Sequence, residues 1–161
     1  MKFTKPRIAR LAASIVICQL AGVIGSFFTS PSIPGWYASL VKPSFNPPNW
    51  IFGPVWISLY LLMGISLFLV WDKASKNKFA KIAIGIFAFQ LVLNSIWSIL
   101  FFGMQSPIYA FIEIIILWAA ILASIIAFYR VSAPAASLLL PYILWVSFAA
   151  VLNFFIWRLN L

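Results

Sequence analysis

Five long apolar runs decide what this chain can fold into. They cover Ile8–Phe28, Phe52–Val70, Ile82–Phe102, Ile108–Tyr129 and Ala135–Trp157, and each is 19 to 23 residues long. A helix needs about 20 mostly apolar residues to cross a bilayer. Strands of a membrane barrel would instead alternate polar and apolar positions, which these runs do not do. The sequence therefore predicts an all-α membrane protein, a bundle of five transmembrane helices.

The composition leaves little chain for anything outside the membrane. Hydrophobic residues make up 65% of the chain and charged residues 8%, whereas a soluble domain is about half apolar and a quarter charged. We predict one domain over residues 1–161, with helices at about 8–28, 47–71, 79–102, 107–129 and 134–158 and a long loop at 29–46. The first run has no small-residue cleavage site, so it is predicted to be a retained helix rather than a signal peptide.

The basic residues are divided unequally between the two ends of the runs. Nine of the 11 Lys and Arg residues lie on the side of the N-terminus, Lys2 among them, and only Lys42 and Arg158 lie on the other side. The positive-inside rule then predicts a cytoplasmic N-terminus. The net charge of +9 is thus a topology signal that would also attract anionic lipid head groups. Nucleic-acid binding is not expected, because the chain offers no phosphate-tracking surface.

Several kinds of catalytic and metal site are excluded by residue counts. The chain has no histidine, one cysteine and two carboxylate residues. A zinc or haem-iron site needs more ligands than these, and a catalytic triad built on histidine is impossible. No metal site is predicted.

Polar side chains interrupt the third and fourth runs. Gln90, Asn94, Trp97 and Phe101 are spaced by four, three and four residues, so they share one helix face. Amides are costly in lipid unless they are paired, so they either join helices or line a site. Glu113 is the single carboxylate within a run. It is a functional acid, a protonated group, or a partner of an amide in the third helix.

Two further features have alternative interpretations. Gly22 and Gly25 in the first run either let helices pack closely or leave room for a ligand. The predicted loop and the start of the next helix are rich in proline but also carry large apolar residues such as Trp36 and Phe45. This loop is either an anchor in the membrane interface or a lid over a cavity. The prolines are Pro31, Pro34, Pro43, Pro47 and Pro48.

Aromatic residues are too many, and in the wrong places, to be interfacial anchors alone. They make up 18% of the chain, with eight tryptophans. Trp97 and Trp145 lie on helix faces that also carry polar residues, and Trp50 follows the double proline. Indole rings offer wide flat contact and one N–H donor. A cavity lined in this way suits a flat, hydrophobic, polycyclic ligand, and it suits ions badly.

Three motifs resemble the translocator protein family (TspO/MBR, also called tryptophan-rich sensory proteins). The first reads Trp36-Tyr37-x-x-Leu40-x-Lys42-Pro43-x-x-x-Pro47-Pro48-x-Trp50-x-Phe52-x-x-Val55-Trp56-x-x-Leu59-Tyr60. The second reads Gln90-Leu91-x-Leu93-Asn94-x-x-Trp97-Ser98. The third reads Pro141-Tyr142-x-x-Trp145-x-x-Phe148-Ala149-x-x-Leu152-Asn153. The resemblance covers nearly the whole chain.

The resemblance implies a five-helix homodimer in the cytoplasmic membrane of a prokaryote, with the long loop closing a pocket between the helices. The ligands implied are porphyrins, above all protoporphyrin IX and also haem, with no further cofactor required. The ligand-binding positions that carry over are Trp36, Trp50, Tyr60, Asn94, Trp97, Tyr142, Trp145 and Ala149. A larger residue in place of Ala149 is expected to hinder binding.

Two alternatives to porphyrin binding and transport remain. Some relatives are described as degrading protoporphyrin in light and oxygen, and the tryptophans implicated match Trp50 and Trp145. The other alternative is a sterol-binding, lipid-binding or structural role. Sterol recognition is doubtful, because the segment 151–158 has Phe154 and Phe155 where the mammalian cholesterol motif needs tyrosine.

Overall fold

The structure, a computed structural model, describes residues 4–161 and is 84% helical, with no strand in that range. Its helices are α1 (Lys5–Ser32), α2 (Asn49–Trp71), α3 (Lys78–Ser98), α4 (Pro107–Tyr129), α5 (Ala133–Ser137) and α6 (Leu140–Leu159). Turns of π-helix extend α1 over Ile33–Tyr37 and α3 over Ile99–Gly103. Five segments are long and apolar enough to cross a membrane, with α5 and α6 together forming the fifth. The predicted five-helix membrane bundle is confirmed.

The loop predicted at 29–46 begins too early. The chain stays helical through Ser39, and the irregular backbone is limited to residues 40–48. Backbone groups in lipid must find partners within the protein, so helix is favoured there even across a proline. Side-chain hydroxyls support this stretch: Thr29 Oγ1 donates to the Gly25 carbonyl at 3.0 Å, and Ser32 Oγ donates to the Phe102 carbonyl at 2.9 Å. We call residues 38–48 the α1–α2 connection.

The fifth span is not the single helix predicted over 134–158. A turn at Leu138 and Leu139 divides it into α5 and α6. Pro141 has no N–H to donate to the carbonyl of Ser137, so the helical ladder breaks just before it. Ser66 Oγ donates to the Ala135 carbonyl at 2.6 Å and fastens α5 to α2.

The basic residues at the N-terminal end surround one acid. Asp72 follows α2, and its carboxylate lies 2.7 Å from Arg7 Nη2 and 3.4 Å from Arg10 Nη1. These ion pairs join the start of α1 to the end of α2. Lys2, one of the nine residues behind the predicted orientation, lies outside the described residues.

The half of the bundle near the N-terminus is packed solid. Met63, Val70, Ala80 and Phe128 have no exposed surface, and the rings of Phe87 and Phe128 stack with centroids 5.3 Å apart. Protein interiors packed in this way hold few voids. The cavity described below lies in the other half of the bundle.

Gly64 sets the distance between α1 and α2. A Cβ atom added there would lie 2.7 Å from the Cα atom of Ile15, so backbone rather than a flexible side chain would have to move. We expect Gly64→Ala to lower the free energy of unfolding by about 1–3 kcal/mol, the usual cost of overpacking. Thermal unfolding in detergent measures this, with Gly85→Ala as the control because nothing lies within 4 Å of Gly85. Equal stability of the two variants would contradict the prediction.

Candidate functional site

The half of the bundle away from the N-terminus encloses a cavity of about 540 Å³. Small-molecule sites in proteins have volumes of about 300–1,000 Å³. Its walls come from α1 and its π-helical turn, α2, α3 and its π-helical turn, and α6. Every lining residue within 4–161 is uncharged. The arrangement can hold a molecule the size of a cofactor, but it offers no ion pair to a ligand inside.

The cavity reaches the surface of the bundle between α1 and α2. Among its lining residues, Val23 is 47% exposed, Ile57 62% and Trp50 73%. Gln19, also in the lining, donates from Nε2 to the Ile57 carbonyl at 3.1 Å and so bridges the same two helices. Val23 and Ile57 lie within membrane-crossing segments. This side of the cavity therefore faces lipid.

Glycines shape the α1 wall. A Cβ atom on Gly22 would overlap the ring of Tyr60, and one on Gly25 would lie 2.9 Å from Ser98 Oγ. Both glycines also line the cavity. Both interpretations of these glycines, close packing and space for a ligand, therefore apply. The close packing of Tyr60 against α1 also places the Tyr60 ring at the cavity.

Two stacked ring pairs form flat walls on α2 and α3. Trp56 stacks on Tyr60 with centroids 5.5 Å apart, and Trp97 stacks on Phe101 with centroids 5.0 Å apart. Trp97 Nε1 also donates to Asn153 Oδ1 at 3.1 Å, and Asn153 Nδ2 in turn donates at 2.8 Å to a backbone carbonyl at the start of α4. These rings are held in place before any ligand arrives.

A buried chain of hydrogen bonds leads inward from the cavity. The Tyr60 hydroxyl donates to Asn94 Oδ1, Asn94 Nδ2 donates to the Tyr142 hydroxyl at 2.9 Å, and that hydroxyl donates to Gln90 Oε1 at 3.0 Å. All four side chains are buried. The chain joins α2, α3 and α6, which confirms that the amides of Gln90 and Asn94 bond between helices.

Trp145 and Trp50 lie at different depths. The ring of Trp145 packs against Phe52 and Phe148 at 5.9 and 5.5 Å between centroids. Its Nε1 is buried and has no hydrogen-bond partner among the described residues. Trp50 lies at the start of α2 and is 73% exposed. Ala149 is one helical turn beyond Trp145 and lines the cavity with it.

Eight residues are expected to bind a ligand. Six of them line this cavity in the structure, whereas Trp36 and Tyr142 do not. Trp36 packs on Phe101 with centroids 5.4 Å apart, while its neighbour Tyr37 lines the cavity. Successive residues of a helix point in different directions, and in this turn it is Tyr37 rather than Trp36 that lines the cavity. Tyr142 is one step further inward, in the hydrogen-bonded chain.

Sequence reasoning missed part of the lining, although the spacing of the residues carried a signal. Ser98 and Phe101 follow Asn94 and Trp97 at four-residue spacing, and so lie on the same face of the third span. The missed lining positions include Gln19, Val23, Tyr37, Ser98, Phe102, Leu152, Asn153 and Ile156.

Two ionisable side chains, Glu113 and Lys42, do not line the cavity. The interpretation in which Glu113 binds an amide of the third helix is wrong, because both carboxyl oxygens are buried without a hydrogen-bond partner among the described residues. Lys42 Nζ donates to the carbonyls of Ala38 and Leu40 at 3.3 and 3.0 Å, and lies 4.7 Å from the ring centroid of Tyr37. Its charge is thus held within the α1–α2 connection.

These features define an integral, multi-pass α-helical membrane protein with an aromatic small-molecule cavity between its helices. The sequence matches the TspO/MBR family over residues 14–158. The chain belongs to that family.

Its relatives span bacteria, archaea and animals. The chain is 46% identical over 154 residues to the tryptophan-rich protein TspO of Chlorobaculum tepidum, covering 96% of this chain and 98% of that protein. It is also 46% identical to the tryptophan-rich protein TspO of Archaeoglobus fulgidus, over 95% of this chain and 98% of that one. Identity to the translocator protein of Homo sapiens is 39%, over 88% of this chain and 86% of that one.

Proposed function

We propose that this protein is a membrane receptor or transporter that binds a porphyrin, protoporphyrin IX or a related tetrapyrrole, inside the bundle. The observation that carries the proposal is the uncharged cavity of about 540 Å³ with stacked aromatic rings on two of its walls. A flat, apolar macrocycle gains both burial and ring stacking from such walls. No cofactor is required, since the porphyrin is the ligand.

The chemistry of the lining favours a metal-free ring. The chain has no histidine, so haem iron would find no imidazole ligand. Metal-free protoporphyrin should therefore bind at least as tightly as haem.

Titration of the purified protein with protoporphyrin IX in the dark tests the proposal. We expect saturable quenching of tryptophan fluorescence, lost in Trp145→Ala and kept in Trp71→Phe, because Trp71 at the far end of α2 does not line the cavity. A titration without saturation would contradict the proposal, and so would haem binding far more tightly than the metal-free ring.

Illumination of the complex then tests the alternative function, an enzyme that degrades porphyrin in light. That alternative gains support if the bound porphyrin bleaches, and if Trp50→Phe and Trp145→Phe lose the bleaching but keep the binding.

We further propose a homodimer in the cytoplasmic membrane of a prokaryote, with the N-terminus in the cytoplasm. The orientation is supported by the excess of Lys and Arg at the N-terminal ends of the spans. Two surfaces have residues small enough for a dimer contact: Gly22 and Gly25 on α1, and Ala119, Ala120 and Ala123 on α4. Gly22 and Gly25 pack against side chains of their own protomer. Ala119 and Ala123 are exposed, whereas Ala120 is buried, so we place the dimer contact on the α4 surface around Ala119 and Ala123.

A further inference from the structure

Helices α1 and α2 move apart toward the end of the bundle away from the N-terminus. At Gly64 the two backbones are so close that an added Cβ atom would lie 2.7 Å from the Ile15 Cα atom. Further along, Gln19 Nε2 reaches across to the Ile57 carbonyl at 3.1 Å. One turn beyond Ile57, nothing lies within 4 Å of a Cβ atom added to Gly53. The two helices therefore border an opening that widens away from the packed half.

This opening, which we call the α1–α2 gap, is bordered by one face of each helix. Its residues recur at three- and four-residue spacing, belong to membrane-crossing segments and line the cavity: Gln19, Val23 and Ser26 on α1, and Trp50, Gly53 and Ile57 on α2. From Ile57 to Trp50 the helix rises about 10 Å, at about 1.5 Å per residue, and one leaflet of the hydrocarbon core is about 15 Å deep. The gap therefore runs alongside the acyl chains of one leaflet.

The cavity wall behind the gap offers little to water. The Ser26 and Thr29 hydroxyls donate to carbonyls of their own helix at 2.7 and 3.0 Å, and the donors of Tyr60, Asn94 and Trp97 are used between the helices. Water that entered would therefore give up hydrogen bonds, whereas an acyl chain would give up only its contacts with other lipids. In exchange, the acyl chain would gain contact with aromatic rings that are already held in place.

We propose that the cavity is also a binding site for an acyl chain of a membrane phospholipid, which enters from the bilayer through the α1–α2 gap. The head group stays at the membrane surface beside Trp50, which is 73% exposed at the start of α2. A phospholipid is favoured over a free fatty acid, because Lys42, the cation of the segment between these two helices, is already bound by the carbonyls of Ala38 and Leu40. The inference does not rest on the proposed function, since no porphyrin takes part.

Photo-crosslinking of the full chain in phosphatidylcholine vesicles, without porphyrin, tests this inference. The probe is a phosphatidylcholine that carries a diazirine at the end of one acyl chain, and the labelled residues are mapped by peptide mass spectrometry. We expect label on Leu152, which is 5% exposed and lines the cavity, as well as on Phe89, which is 57% exposed and does not line it. A diazirine placed next to the glycerol should label Trp50 but not Leu152.

Closing the gap should remove only the label inside the cavity. Gly53→Phe places a ring at the gap, where there is open space around the added Cβ atom, so Leu152 should lose its label while Phe89 keeps it. Gly85→Phe is the matched control, because Gly85 also has open space around an added Cβ atom but does not line the cavity. In that variant both Leu152 and Phe89 should be labelled as in the wild type.

Several outcomes would overturn the inference. A wild type without label on Leu152 would show that no acyl chain enters, and equal labelling of Leu152 in the wild type and in Gly53→Phe would show that the chain does not enter through the gap. A fatty acid with the same terminal diazirine that labels Leu152 when the phospholipid does not would replace the phospholipid as the occupant. Failure of porphyrin binding would overturn the proposed function and leave each of these results unchanged.

Discussion

We expect Ala149→Leu to prevent protoporphyrin binding, the proposed function, while the helix bundle stays folded. Ala149 lines the cavity together with Trp97 and Trp145, and a leucine there would place three more carbon atoms in the space between flat rings. A planar ligand cannot move aside from an added group as a flexible one can, because stacking on the aromatic walls fixes its plane. We expect Kd to rise at least about a hundredfold, equal to about 2.7 kcal/mol, in the dark fluorescence titration.

The control for this prediction makes the same change on a surface away from the cavity. Ala88 on α3 is exposed and does not line the cavity, so Ala88→Leu should bind protoporphyrin as the wild type does. Thermal unfolding of both variants should remain close to that of the wild type, since the leucine of Ala149→Leu enters existing space. Ala149→Leu with wild-type affinity would mean that the ligand binds elsewhere.

The spans could be predicted from sequence because lipid permits few solutions. Every backbone amide in the hydrocarbon must be bonded within the protein, so an apolar run of sufficient length is read as helix with little ambiguity. The same physics explains the error at residues 29–39. The prolines there predict a loop, yet Pro31 lies inside α1, where a helix satisfies more backbone groups than an irregular segment would.

The lining of the cavity was predictable only where a residue is unusual among its neighbours in the sequence. The tryptophans at positions 50, 97 and 145 stand out because they lie beside polar residues or prolines. The α1 wall was not predictable, since Gly22 and Gly25 have the same small-residue pattern whether they pack a helix or border a cavity. A hydrogen bond between Val41 and Asn160 joins residues 119 positions apart and depends on where α6 ends. No local pattern encodes such a contact.

Asn94→Leu is expected to cause the largest loss of stability among these variants. Asn94 is 4% exposed, accepts from the Tyr60 hydroxyl and donates to the Tyr142 hydroxyl. Leucine is similar in size but has no polar atom, so the Tyr60 hydroxyl loses its acceptor. Each buried polar group left unsatisfied costs about 1–3 kcal/mol. We expect the free energy of unfolding to fall by about 2–4 kcal/mol, measured by denaturant unfolding in detergent.

A double-mutant cycle with Tyr60→Phe separates the bond from the orphaned hydroxyl. Hydrogen bonds between membrane helices couple by only about 0.6 kcal/mol on average and about 1.7 at most, so Tyr60→Phe alone should cost far less than Asn94→Leu. Adding Tyr60→Phe to Asn94→Leu should then recover part of the loss, because it removes the hydroxyl that has no acceptor. Strictly additive effects would show that Tyr60 and Asn94 act independently. In that case Asn94 would stabilise the bundle through Tyr142 and Gln90 alone, and the Tyr60 ring would owe its place at the cavity to Gly22 and Trp56.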